Sequence, residues 1–105
     1  MADMASKAMA RLLKRLNDPS HQYPAQTAAA MNVEFRAIER EWKAALEPGS
    51  LRSFLKRLGV EIERQECVFT DKAVAALNEG RDSAYLIGKS ARLMSIRAII
   101  ERENP

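Results

Sequence analysis

Apolar positions recur along most of this chain at helical spacing, most regularly between Pro24 and Leu46. Met31, Phe35, Ile38, Trp42 and Leu46 follow one another at steps of four, three, four and four, which places them on one stripe of a helix. The other face carries Asn32, Arg36, Glu39, Arg40 and Lys43. Pro24 suits a first helical position, and Pro48-Gly49 ends the run, so a long central helix is expected over residues 24–47. It holds the only Trp, and the core is expected to form on it.

The rest of the chain divides by the same criterion. Ala5, Met9, Leu12, Leu13 and Leu16 predict a helix over 3–17, followed by a loop with Asp18-Pro19-Ser20 as its turn. Leu51, Phe54, Leu55 and Leu58 fit the helical template after a Ser50 cap, and Gly59 reads as its stop. From Val60 the period changes. Val60 and Ile62 alternate with Glu61 and Glu63, and Cys67-Val68-Phe69 is β-prone, so a short two-stranded β element is expected near 60–70. Thr70 or Asp71 then caps a short helix ending at Gly80. A last helix runs over 82–103, with Tyr85, Leu86, Leu93, Ile96, Ile99 and Ile100 on one side and Ile87 and Met94 on the other. Ala84, Gly88, Ala91, Ser95 and Ala98 form a stripe of small residues along it, which fits either close packing on the central helix or a homodimer seam through residues 84–100. The expected fold is mainly α: one domain over 1–105, about five helices around the 24–47 helix.

Residues 28–38 admit a second reading. Ala28, Met31, Asn32, Val33 and Ile38 match the small, apolar, turn and apolar positions of a helix-turn-helix motif, with Asn32 supplying the left-handed turn residue. That reading buries Val33 and exposes Phe35. An unbroken helix does the reverse, and buries Phe35 and Trp42 on one side.

Composition is that of an ordinary globular domain, 105 residues with 47% apolar and 30% charged. Cys67 is the only cysteine, so no intrachain disulfide forms, and a reducing, cytoplasmic setting is expected. No apolar run approaches a membrane span, and no membrane partner is expected. The net charge of +3 is spread thinly. Basic side chains number four against two acidic in 1–23, three against four in 24–47, four against three in 48–69 and six against five in 70–105. Within this spread, Lys7, Arg11 and Lys14 form a ridge at i, i+4 and i+7, and Arg52, Lys56 and Arg57 decorate the helix after Ser50.

Residues 50–79, with Phe54-Leu55-Lys56-Arg57-Leu58-Gly59-Val60-Glu61-Ile62 leading to Val68-Phe69-Thr70-Asp71, resemble part of a winged-helix DNA-binding domain. The resemblance implies a recognition helix, a strand, a wing hairpin and a second strand. It makes Arg52, Lys56 and Arg57 groove or phosphate contacts and places Arg64 in the wing.

Catalytic chemistry is not indicated. Gly88-Lys89-Ser90 imitates the end of a phosphate-binding loop, but Ser83 stands where that loop needs glycine, and a mid-helix setting has no unpaired backbone N–H groups to offer. One histidine builds no metal cluster, and no nucleophile has a supporting motif. No enzyme, metal or cofactor is expected. The basic surfaces put first a small DNA-binding regulatory protein of helix-turn-helix or winged-helix type, contacting duplex DNA through Lys7, Arg11, Lys14, Arg52, Lys56 and Arg57. The alternative is a small helical protein-interaction module, such as a mobile-element-encoded inhibitor or adaptor that binds a host protein.

Overall fold

The computed structural model describes residues 4–103. They form four helices: α1 (Met4–Leu16), α2 (Pro24–Ala45), α3 (Pro48–Asn78) and α4 (Ala84–Glu103). Among the described residues there is no strand. Asp3, expected to open the first helix, lies outside them.

Consecutive helices alternate in direction, which leaves α1 and α3 parallel. Met4 and Ala5 lie beside Phe54 near the start of α3, whereas Asn17, just after α1, bonds Lys89 opposite Phe69. Trp42 near the end of α2 returns to Phe54, with ring centroids 5.4 Å apart. α4 runs back along α3, bringing Arg97 to Glu66 and Ile100 to Gly59. At 1.5 Å per residue the 31 residues of α3 span about 46 Å, nearly the full 49 Å length of the molecule.

The organising element is therefore α3, not the 24–47 helix. Phe54, Leu55, Leu58, Ile62 and Phe69 all enter the core from α3, where they meet Leu12 and Met9 of α1 and Leu93, Ile96 and Ile100 of α4. α2 contributes Met31, Phe35 and Ile38. Its Trp42 and Leu46 are only partly buried at the edge of the core, against the expectation for Trp42. Glu39, expected on the polar face, is 7% exposed, with Arg36 Nη1 donating to its carboxylate at 2.9 Å.

α2 is continuous through Asn32, with Phe35 1% and Val33 68% exposed. The backbone does not turn there, so the unbroken helix is what forms. Gln26 Oε1 accepts from the amides of Gln22 and Tyr23 at 3.0 and 3.2 Å, tying the entry to the helix behind Pro24. The helix after Ser50 starts earlier than expected, at Pro48, and Gly59 does not stop it. Residues 60–70 are helical, and the two expected C-terminal pieces of this region are one helix, giving four helices rather than five. The strands and wing that the winged-helix resemblance implies for this stretch are replaced by helix. The physical reason is a second period within the same residues: Leu58, Ile62, Glu66, Phe69, Ala73 and Ala76 recur at helical steps, and all are buried. Glycine in a helix interior costs only about 1 kcal/mol relative to alanine, which burial of that stripe offsets easily. Among the described residues, Gly80 in the α3–α4 turn alone holds a positive φ, 73°.

Candidate interaction surfaces

The six basic residues expected at a DNA interface do not gather on one face. Lys7 and Lys14 are exposed on α1. Arg11 between them is turned onto α2: its Nη2 lies 2.7 Å from Glu34 and its Nη1 2.7 Å from Glu41. Arg15 joins through Nε, 3.1 Å from the other oxygen of Glu34. The hydrogen bond to Glu41, then that to Glu34, hold the Arg11 guanidinium above its ordinary pKa. Burial pushes the Glu34 carboxyl up, but the bonds from Arg15 and Arg11 outweigh it and leave the group below the usual carboxylate range. The centre of the ridge is thus an α1–α2 clamp.

On α3, Arg52 and Lys56 border a shallow cavity on the α4 side that also holds Glu63, Arg97 and Glu101. Arg57, one residue on, points toward the start of α1 and borders a different hollow with Met4 and Ala5. A step of 100° per residue separates them.

A different surface stands out on the face of the α3–α4 hairpin turned away from α1 and α2. A groove of about 290 Å³ runs between the two helices there, walled by Thr70, Val74, Leu77, Ile87, Ala91 and Met94. No ionisable side chain lines it. Its large side chains are open to solvent, Val74 at 51%, Leu77 at 61%, Ile87 at 51% and Met94 at 52%. On α4 the groove uses positions 87, 90, 91 and 94, about half a turn of the helix from 85, 88, 89 and 92, which face the α1–α2 loop. The sequence signal for it was present, since Ile87 and Met94 fall off the main apolar stripe of α4. Its α3 half was hidden by the expected helix break at Gly59 and the expected cap at Thr70.

Sequence reasoning also missed Lys89. It is 6% exposed, donates to Asn17 Oδ1, and holds its ammonium 4.1 Å from the Tyr85 ring centroid and 5.5 Å from that of Phe69. Cys67 is exposed on α3. Among the described residues, no three His, Cys, Asp or Glu side chains are placed to hold a metal, and no helix is long and apolar enough to cross a membrane. Compared with family profiles, curated proteins and solved structures, the chain matches none.

Proposed function

We propose that the chain is a small helical protein-interaction module, and that its α3–α4 groove is the docking face, taken by the same face of a second copy. The observation that carries this reading is a strip of exposed apolar side chains with no ionisable group in its groove. Soluble monomers rarely leave such a strip bare, because burying it is favourable at about 25 cal/mol per Å².

The spacing suits a helical partner. On α3 the exposed positions Val60, Glu63, Cys67, Thr70, Val74 and Leu77 follow at steps of three, four, three, four and three. On α4 the exposed Ala84, Ile87, Ala91, Met94 and Ala98 follow at three, four, three and four. This alternation is what two packed helices present to each other along a seam. One antiparallel hairpin laid on another about a two-fold axis gives each copy the same patch to meet, and the small alanines allow close approach. The α3 strip is about 25 Å long, and two adjacent helices are about 20 Å wide. Taken flat, that face measures about 500 Å², the size of a weak or transient interface and below the ~800 Å² per partner of a standard one.

Duplex DNA is the competing reading, supported by exposed Lys7, Lys14 and Lys56. Against it stands the commitment of Arg11 to Glu34 and Glu41. Sedimentation equilibrium over a range of concentrations tests the proposal. The expected result is a dimer that Leu77→Glu with Met94→Glu converts to a helical monomer. A monomer at the highest concentrations overturns it. Low-salt binding to duplex DNA, with log affinity falling by about 0.9 per neutralised phosphate against log salt and abolished by Lys7→Glu with Lys14→Glu, would put the DNA reading in its place.

A further inference from the structure

A second and roomier hollow lies on the opposite side of α4 from the groove. It is a cleft of about 540 Å³ between the α1–α2 loop and the first half of α4. That volume lies in the range of small-molecule sites, about 300–1,000 Å³. Its chemistry is unlike that of the groove. Lys89 and Arg92 stand one helical turn apart on its α4 wall, with Cβ atoms roughly 5–6 Å from each other at that spacing. Among the described residues, neither has a carboxylate partner. The Lys89 ammonium has one hydrogen bond, to Asn17, and two aromatic faces. Arg92 donates through Nε to the Pro24 carbonyl at 3.3 Å, and its Nη groups lie over Gly88, 3.5 and 3.7 Å from where a Cβ would sit.

A lysine removed from water is ordinarily paired, because an uncompensated buried charge is expensive. An anion in the cleft would supply the missing partner. The sole acid in the lining, Asp18, is turned to the Ser20 amide and hydroxyl at 2.9 and 2.7 Å and to His21 Nε2 at 3.9 Å. The other ring nitrogen, His21 Nδ1, is buried without a hydrogen-bond partner. Two tyrosines complete the cleft, Tyr23 at 63% and Tyr85 at 66% exposure, offering ring faces to a flat group.

We propose that this cleft binds a nucleoside monophosphate, with the phosphate on Lys89 and Arg92 and the base against the tyrosine rings. Charge-assisted bonds to phosphate are the strong contacts, and Arg92 is the side chain able to make them in pairs. This is not a phosphate-binding loop: Gly88-Lys89-Ser90 lies inside α4 and acts through side chains.

Calorimetric titration of the full chain with the four ribonucleoside monophosphates tests the site, with inorganic phosphate, the matching nucleoside and a single-stranded trinucleotide as further arms. At least one mononucleotide should bind tenfold or more tighter than phosphate or nucleoside alone. Lys89→Met keeps the buried stem, and Tyr23→Ala alters an exposed ring. Each should weaken binding at least tenfold with the far-ultraviolet spectrum unchanged, and amide shifts in the bound state should centre on residues 17–24 and 85–92. No saturable binding at millimolar nucleotide overturns the proposal. So does affinity unchanged in both variants, phosphate binding as tightly as nucleotide, or a trinucleotide more than tenfold tighter than the mononucleotide.

Discussion

Arg97 crosses from α4 to α3 and grips Glu66 with two nitrogens, Nε at 2.5 Å and Nη2 at 3.3 Å, while Nη1 turns back to Glu101 at 2.8 Å. Glu66 is 5% exposed and sits among the apolar residues of the α3 stripe. Its hydrogen bond, followed by that of Glu101, holds the Arg97 guanidinium above its ordinary pKa. Breaking a buried pair leaves a lone charge behind, at about 3–5 kcal/mol. The Arg97 side chain keeps 26% of its exposure, so Glu66→Ala should cost about 3 kcal/mol, the lower end of that range. The double change Glu66→Leu with Arg97→Met should restore most of the loss. Urea unfolding of the two variants beside the parent chain checks both outcomes.

That pair also explains what the sequence conceals. The stripes of α1 and α2 and the main apolar side of α4 were legible because their core residues are apolar or small and recur without a break; Glu39, buried beside the α2 stripe, was not legible. In α3, a glycine follows Leu58 and a glutamate occupies the next-but-one core position, so Val60-to-Glu63 alternation is the locally stronger signal. The partner that makes Glu66 acceptable inside stands 31 residues away. The same limit applies to the basic residues: nothing local in Lys7-to-Lys14 spacing tells that Arg11 will meet Glu34 and Glu41. Lys89 was legible only as a charge, since its burial depends on Asn17, Phe69 and Tyr85 converging from three segments.

Gly59 and Gly80 should respond oppositely to alanine. A Cβ on Gly59 would meet Ile100 Cγ2 at 3.9 Å, an ordinary contact, in a helical backbone. Gly59→Ala should stabilise by about 0.5–1 kcal/mol. Gly80 holds φ at 73°, where a side chain is strained, so Gly80→Ala should destabilise by about 1 kcal/mol. Thermal unfolding decides, and a destabilising Gly59→Ala would contradict the continuous α3.

Phe35 and Trp42 should separate in the same kind of measurement. Phe35 is fully enclosed, and its truncation to Ala should cost about 3–5 kcal/mol. Trp42 is partly buried against Phe54, and Trp42→Ala should cost roughly half as much. Equal losses would argue that the edge of the core is more closed than described.

Acid should loosen the α1–α2 clamp. The folded-state pKa of Glu34 is depressed, so its contribution is present above the unfolded value and is lost as pH falls through the folded one. Stability should therefore fall as pH drops below the ordinary glutamate value of about 4.3. Glu34→Gln should be less stable at neutral pH and show a shallower acid loss. Identical acid profiles for the two proteins would remove Glu34 as the responsible group.

Beyond Phe69 the buried positions of α3 shrink to Ala73 and Ala76, and neither joins the main apolar cluster. The two helices are bridged there by the Thr70–Ser90 hydroxyl pair at 3.2 Å. An end held by methyl groups, that hydroxyl pair, the partly buried Leu86 and the Lys89 contacts to Asn17 and Phe69 opens at lower free energy than the core between Phe54 and Ile62, as a separate cooperative unit. Native-state hydrogen exchange should find amides 70–78 and 84–90 exchanging through a sub-global opening, ahead of amides 54–66. The groove lies largely on this unit, so mutual docking would be read as slowed exchange there, deepening with protein concentration. The hairpin end would then behave as a local folding equilibrium that a second molecule draws to completion.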